Sequence, residues 1–357
     1  MYFKTTPRRW LGYAGSLLAT TLLASASAVA GEHEHGVLVL TSTNSASGNS
    51  LVVFKLDPAG TPSLSWDATL PTGGLGGAGG NAGILQFKED FGAVANYGSN
   101  TVTRLARYDD FITTAGTLKL ASGCLQPDSV ALTHDHLFVV GANCAESHPW
   151  LSGNADGVVK LPDSSAGQIA VGRTWGAVTL KSGSVLQLAL TRDGALSGSA
   201  TPIALPDTAD NTPLGATFWG DILGFNPAHS PDSFALVNSA REVYPVVGPT
   251  PSFPSNAPCW IAKGPGNVWY AGNSPGQAIS IFFSDGQGGA FYKSISLPGV
   301  PTDITVSADK KLLAVIYSAS GNGYVAVFSI DGYGDLTHVA TSSPIGVATF
   351  NGVAISE

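Results

Sequence analysis

Glu146 and His148 stand two residues apart in the segment from Ala142 to Asp156, followed by Trp150 and Asp156. A histidine beside a carboxylate could serve as a general base, and long loops on rigid scaffolds often carry such groups. Arg173 lies near Trp175, Asp221 near Trp219, and Arg241 beside Glu242. A guanidinium is the natural partner of a carboxylate substrate, so Arg173 or Arg241 would bind the acid while His148 and Glu146 moved protons. The same residues also fit a plainer arrangement, in which the loop is structural and the arginines pair with acids or pack on aromatic rings.

Other motifs carry less chemistry than their letters suggest. His134-Asp135-His136 resembles a metal or acid–base group, but the spacing also reads as a tight solvated turn. Gly74 to Gly79 fits G-x-G-x-x-G without the strand-to-helix context that a dinucleotide site needs, so an inter-strand loop is expected. Gly272 to Gly276 fits G-x-S-x-G, yet Pro275 lacks the backbone N–H that follows the nucleophile into an oxyanion hole. Gly31-Glu32-His33 would offer an amine, two amides and an imidazole to Cu(II) or Ni(II) if a leader were removed after Ala30, with His35 as a further ligand. A disordered polar tail is the alternative there.

The elements that must position these groups are strands. Only 12% of the residues are charged, while Gly (44) and Pro (22) are abundant, a balance suited to short strands joined by tight turns. Strand pairs of one design recur: PDSVALTHDHLFVVGAN from Pro127, PCWIAKGPGNVWYAGN from Pro258 and PTDITVSADKKLLAVIYS from Pro301, with weaker copies from Asn81 and Gly220. A third strand follows each pair and often ends near an Asp–Gly turn, as around Asp193, Asp285 and Asp331, before a fourth.

Setting aside residues 1–30 leaves 327 of 357 residues, which a repeat of roughly 40 to 50 divides into about seven four-stranded blades. The last segment, Asn351 to Ser356, reads as a first strand without partners, and Gly36 to Leu40 as a second strand without a first. Joined, they would complete one blade and close an all-β, seven-bladed propeller over residues 36–357, behind a short tail of residues 31–35.

Residues 1–30 have the layout of an export signal: Lys4, Arg8 and Arg9, an apolar run from Leu17 to Leu23, then Ala28-Val29-Ala30. Pro7 stands where a twin-arginine signal favours Ser or Thr, so either export route fits, and a periplasmic or secreted protein is expected. Removing this segment takes three positive charges and no negative one from a net charge of −8, leaving −11. Such a field argues against nucleic acid and anionic membrane surfaces as partners, and no segment is long enough to span a bilayer.

Cys124 and Cys144 lie symmetrically about the His134 turn, so an antiparallel hairpin would bring them together as a disulfide. Cys259 is left over, with a buried free thiol as the expectation.

ANYGSNTVTR from Ala95, the Pro-led strand pairs and the terminal NGVAIS resemble the lactonase-like seven-bladed propeller family, which includes 6-phosphogluconolactonases and carboxymuconate cyclases. The resemblance covers most of residues 36–357 and rests on blade-forming positions, with no catalytic motif to carry over. It implies hydrolysis or cyclisation of a carboxylated lactone, with no cofactor, and the residues read above from their loops, Glu146, His148, Arg173, Asp221 and Arg241, are the candidates for that chemistry at a central funnel. A monomeric, non-catalytic propeller that binds a small molecule, protein or glycan there is the alternative. The funnel is expected on the face carrying the loops before each first strand and after each second strand.

Overall fold

In a computed structural model of the chain, residues 36–58, 61–207, 209–229, 232–247, 257–346 and 349–357 are described, all within the unit spanning residues 33–357. The Gly31-Glu32-His33 site, His35 and the export segment lie outside them. Seven antiparallel sheets of four strands follow one another. Their first strands are Asn351–Ser356, Leu85–Lys88, Pro127–Leu132, Ala166–Val171, Pro213–Trp219, Pro258–Lys263 and Val300–Val306, for blades 1 to 7 in turn. Each contacts the first strand of the next blade, so the seven form a ring around a central channel.

Closure follows the expected scheme. Blade 1 is ordered Asn351–Ser356, Val37–Ser42, Ser50–Asp57, Ser63–Pro71, so the chain's last strand pairs with its first described one. The buried Arg107 of blade 2 fastens that seam: Nη1 donates to Ser356 Oγ (3.0 Å), Nε to the Asp109 carbonyl (2.7 Å) and Nη2 to the Gly36 carbonyl (2.5 Å).

Second strands such as Trp175–Leu180 and Val268–Asn273 are buried along their whole length, because neighbouring blades cover both faces. Fourth strands such as Leu196–Ile203 mix buried and exposed positions at the rim. Alternating apolar strands with polar outer edges therefore suffice to write a blade.

A first strand has a hydrogen-bonded neighbour on one edge only; its other edge faces the channel. In blades 3 to 7 this strand carries a register shift near its start, for example between Pro127 and Ser129, Ala166 and Gln168, and Pro301 and Asp303. Such bulges re-aim side chains and leave backbone groups without ladder partners. Side chains from adjacent blades supply some of the missing bonds: Ala216 N–H donates to Gln168 Oε1 (2.7 Å) and Ile169 N–H to Ser129 Oγ (3.4 Å).

The Cys124–Cys144 disulfide forms as expected, with Cα atoms 5.7 Å apart. It ties the loop entering blade 3 to the start of that blade's third strand, Cys144–Pro149. Cys259 remains free, and burial pushes its thiol up to about 11, a poor setting for a nucleophile. Among the described residues no helix is long and apolar enough to cross a membrane.

Candidate functional site: two ends of one channel

Antiparallel order puts the first-to-second and third-to-fourth strand turns on one face, here called lower, and the remaining loops on the upper face. At the upper face, the glycine-rich segment between Pro71 and Leu85 folds across the channel mouth. Asn81 is its hub. Its Nδ2 donates to Asp128 Oδ1 of blade 3 (2.6 Å) and its Oδ1 accepts from Lys181 Nζ of blade 4 (3.4 Å). Its carbonyl accepts from Trp260 Nε1 of blade 6 (3.3 Å) and Asn351 Nδ2 of blade 1 (3.4 Å).

The glycines permit this closure by close packing. A Cβ on Gly76 would lie 2.3 Å from the Asn44 carbonyl carbon, and one on Gly83, at φ +67°, would lie 2.6 Å from Gln168 Nε2. Asn44 secures the segment, accepting from Gly77 N–H (2.9 Å) and Ala78 N–H (3.1 Å) through Oδ1.

Two buried carboxylates hold the end of this plug. Asp303 accepts backbone N–H bonds from Ile304, Gly83 and Val353, while burial pushes its pKa up to about 7. Burial also raises Asp128, to about 6, against the opposing pull of Lys181 and Asn81.

Below Asp303 the channel opens towards the lower face as a cavity of about 210 Å³. Gln86, Gln168, Thr217, Thr305, Lys263 and Lys310 supply its polar lining, with Phe87 and Phe218 among the apolar residues. Lys263 Nζ is already committed to the carbonyls of Gly264 (2.9 Å), Gly266 (2.6 Å) and Val268 (3.1 Å), and burial lowers its pKa to about 8. By contrast, the side chains of Gln86, Thr217, Thr305 and Lys310 bond to none of the described residues, and Gln168 uses only its oxygen.

The expected site residues do not converge on this cavity. Glu146 and His148 occupy a third strand rather than a loop, each side chain 1% exposed, with Glu146 Oε2 3.2 Å from His148 Nε2. Glu146 Oε2 also accepts Ala121 N–H (2.8 Å), which places the pair in the wall between blades 2 and 3. The long loop of this blade is instead the lower-face stretch that follows Pro149.

Arg173 and Asp221 sit on first-to-second strand turns and Arg241 on a third-to-fourth turn, so all three are on the lower face, opposite to the expected one. Asp221 caps Thr174, accepting from its N–H and its Oγ1, each at 3.0 Å. Arg241 lies 4.0 Å over the Trp175 ring and donates to Gln187 Oε1 (2.8 Å), a packing role between blades 4 and 5. The His134 turn is on the lower face, as its reading as a tight turn implied.

Ser147, Asp156 and His136 form a further cluster; Asp156 and His136 are each marked in the sequence, but not their union with Ser147. Asp156 accepts from Ser147 Oγ (2.7 Å) and lies 2.9 Å from His136 Nε2. With the carboxylate rather than the imidazole in the middle, the order differs from that of a serine–histidine–aspartate triad, in which the imidazole takes the serine proton.

Seven-bladed propellers recur among solved structures. A protein from Lactobacillus plantarum aligns with a TM-score of 0.68 at 12% identity, over 90% of this chain and 99% of that one. Virginiamycin B lyase from Staphylococcus aureus aligns at 0.55 and 14% identity, over 78% and 94%, and a chain of the mitotic checkpoint complex at 0.58 and 13%, over 75% and 80%. No protein-family model matches the chain, and no curated protein matches it. At these identities the likeness shows the fold alone: this chain is a seven-bladed β-propeller closed by its terminal strands.

Proposed function

We propose that the protein is an exported, non-catalytic binding propeller that takes a small carboxylate into the lower half of its channel. The carrying observation is the imbalance of the cavity lining. Amide and hydroxyl donors on Gln86, Gln168, Thr217 and Thr305 face it without a hydrogen-bond partner among the described residues, and the Lys310 ammonium beside them is attracted by Glu357 and Asp309 without a hydrogen bond to either, while the one acidic lining residue, Asp303, already takes three N–H bonds. A pocket rich in donors and poor in acceptors favours anions, whose oxygens accept the hydrogen bonds those donors offer. The disulfide supports the exported setting.

Isothermal titration with small carboxylates tests this reading. Saturable binding is expected, weakened about tenfold in Lys310→Gln, as for loss of one charge-assisted hydrogen bond. Binding should also strengthen as pH falls through about 7, because protonating Asp303 removes the negative charge inside the cavity. Absence of binding, or indifference to Lys310→Gln, would reject it.

Asp303 supports a second reading, lactone hydrolysis, since a pKa of about 7 suits a general acid–base. Acid release from lactones that vanishes in Asp303→Asn would favour hydrolysis over binding alone.

A further inference from the structure

We propose that a second site, a groove on the lower face across blades 2 to 5, binds an acidic oligosaccharide. The groove encloses about 740 Å³ and is lined in part by Lys88, His136, Arg173, Arg192, Phe218 and Trp219. Lys88, Arg173 and Arg192 make no hydrogen bond or ion pair with any described residue, in a chain whose net charge is −8. Three cations from two blades thus converge where overall charge would not concentrate them.

The groove is built rather than incidental. His136, 6% exposed, lines it with Nε2 on Asp156 and Nδ1 buried without a partner. Left-handed glycines give the lining its room: a Cβ on Gly220 (φ +64°) would lie 3.1 Å from Arg173 Nη2, and one on Gly194 (φ +92°) 3.3 Å from His136 Nδ1. Trp219 is 37% exposed, and Lys263 Nζ, which lines the channel, lies 4.8 Å from its ring centroid.

These groups select an acidic sugar over other anions by their mixture. Planar guanidinium groups match carboxylates in a bidentate fork. The indole offers a flat apolar surface to a sugar ring. Asp135 and Asp193 also line the groove; they would accept hydrogen bonds from sugar hydroxyls but repel a phosphate-dense chain. The groove meets the channel cavity at Phe218, which lines both, yet it stands on its own residues and does not depend on the channel reading.

Titration of the mature chain with trigalacturonate, maltotriose and tripolyphosphate separates the possibilities. Trigalacturonate is expected to bind saturably, more weakly at high salt, and at least about tenfold more tightly than either control, a difference of roughly one bidentate contact. Arg173→Gln with Arg192→Gln should abolish that preference, whereas Lys310→Gln, a channel variant, should leave it intact. Thermal unfolding of the double variant at the wild-type midpoint confirms its fold, and the single variant Arg192→Gln gives a smaller loss should the pair unfold. Tighter binding of tripolyphosphate, binding of trigalacturonate unaltered by the arginine variants, or no binding would overturn the proposal.

Discussion

The two ends of the channel are made from the same strands and differ in how their polar groups are spent. At the upper mouth Asn44 and Asn81 bind their own chain or a neighbouring blade, and a segment rich in glycine presses against the backbone. At the lower mouth the side chains of Gln86, Thr217, Thr305 and Lys310 line a cavity and make no hydrogen bond to the described residues, Lys310 being held only by the charges of Glu357 and Asp309. Saturated polar groups specify a structure, while unsaturated ones on a rigid wall are available to a ligand. In the proposed reading, closure falls to one end and recognition to the other.

The harshest way to break the contrast is Gly76→Val, whose Cβ would meet the Asn44 backbone 2.3 Å away. Backbone cannot yield as a flexible side chain can, so a loss of about 3 kcal/mol is expected in chemical unfolding, the upper range for overpacking. An unchanged midpoint would mean that the segment does not pack across the mouth. Reduction of the Cys124–Cys144 bridge, which closes a loop of 20 residues, should cost about 3 kcal/mol. That loss should leave carboxylate binding intact at temperatures where the protein stays folded, because the bridge lies away from the cavity lining.

Asp303 sharpens the comparison, since it touches both ends. Its folded pKa, about 7, lies above the unfolded carboxyl value, so the stability linked to its protonation is fully present below about pH 4 and is lost as pH rises through 7. Asp128, raised to about 6, has the same sign. Melting temperature should therefore fall between pH 5 and 8, and Asp303→Asn should flatten most of that slope. A slope retained in the variant would place the titration elsewhere. The smallest effect is expected from His148→Gln: this site is sealed between blades, so carboxylate affinity should not change, and a loss of affinity would return the proton role to that residue.

The architecture was legible in the sequence because blades repeat their chemistry. Pro127 and Pro258 open first strands, Pro301 stands one residue into another, and Asn351–Ser356 shows one such strand without its partners. The site was harder to read for three physical reasons. Glu146 and His148 read as loop residues, yet here they stand on a strand buried between two blades, where the carboxylate meets one nitrogen of the imidazole. The funnel was expected at the face that carries the loops before each first strand and after each second strand, but one of those loops, Thr72 to Ile84, fills the mouth it was supposed to frame. Finally, channel-lining residues are single polar positions within apolar strands, such as Gln168 in AGQIAV and Asp303 in VPTDITV. A polar residue just past a bulge in a first strand was the available signal.

A crystal structure of the protein with a bound small carboxylate would test the division most directly. The account predicts the ligand in the lower half of the channel, its carboxylate within hydrogen-bond reach of Lys310 and of Thr305 or Gln86, with Asn81 still bonded across the upper mouth. A ligand lodged at the upper mouth with Asn81 displaced would contradict it.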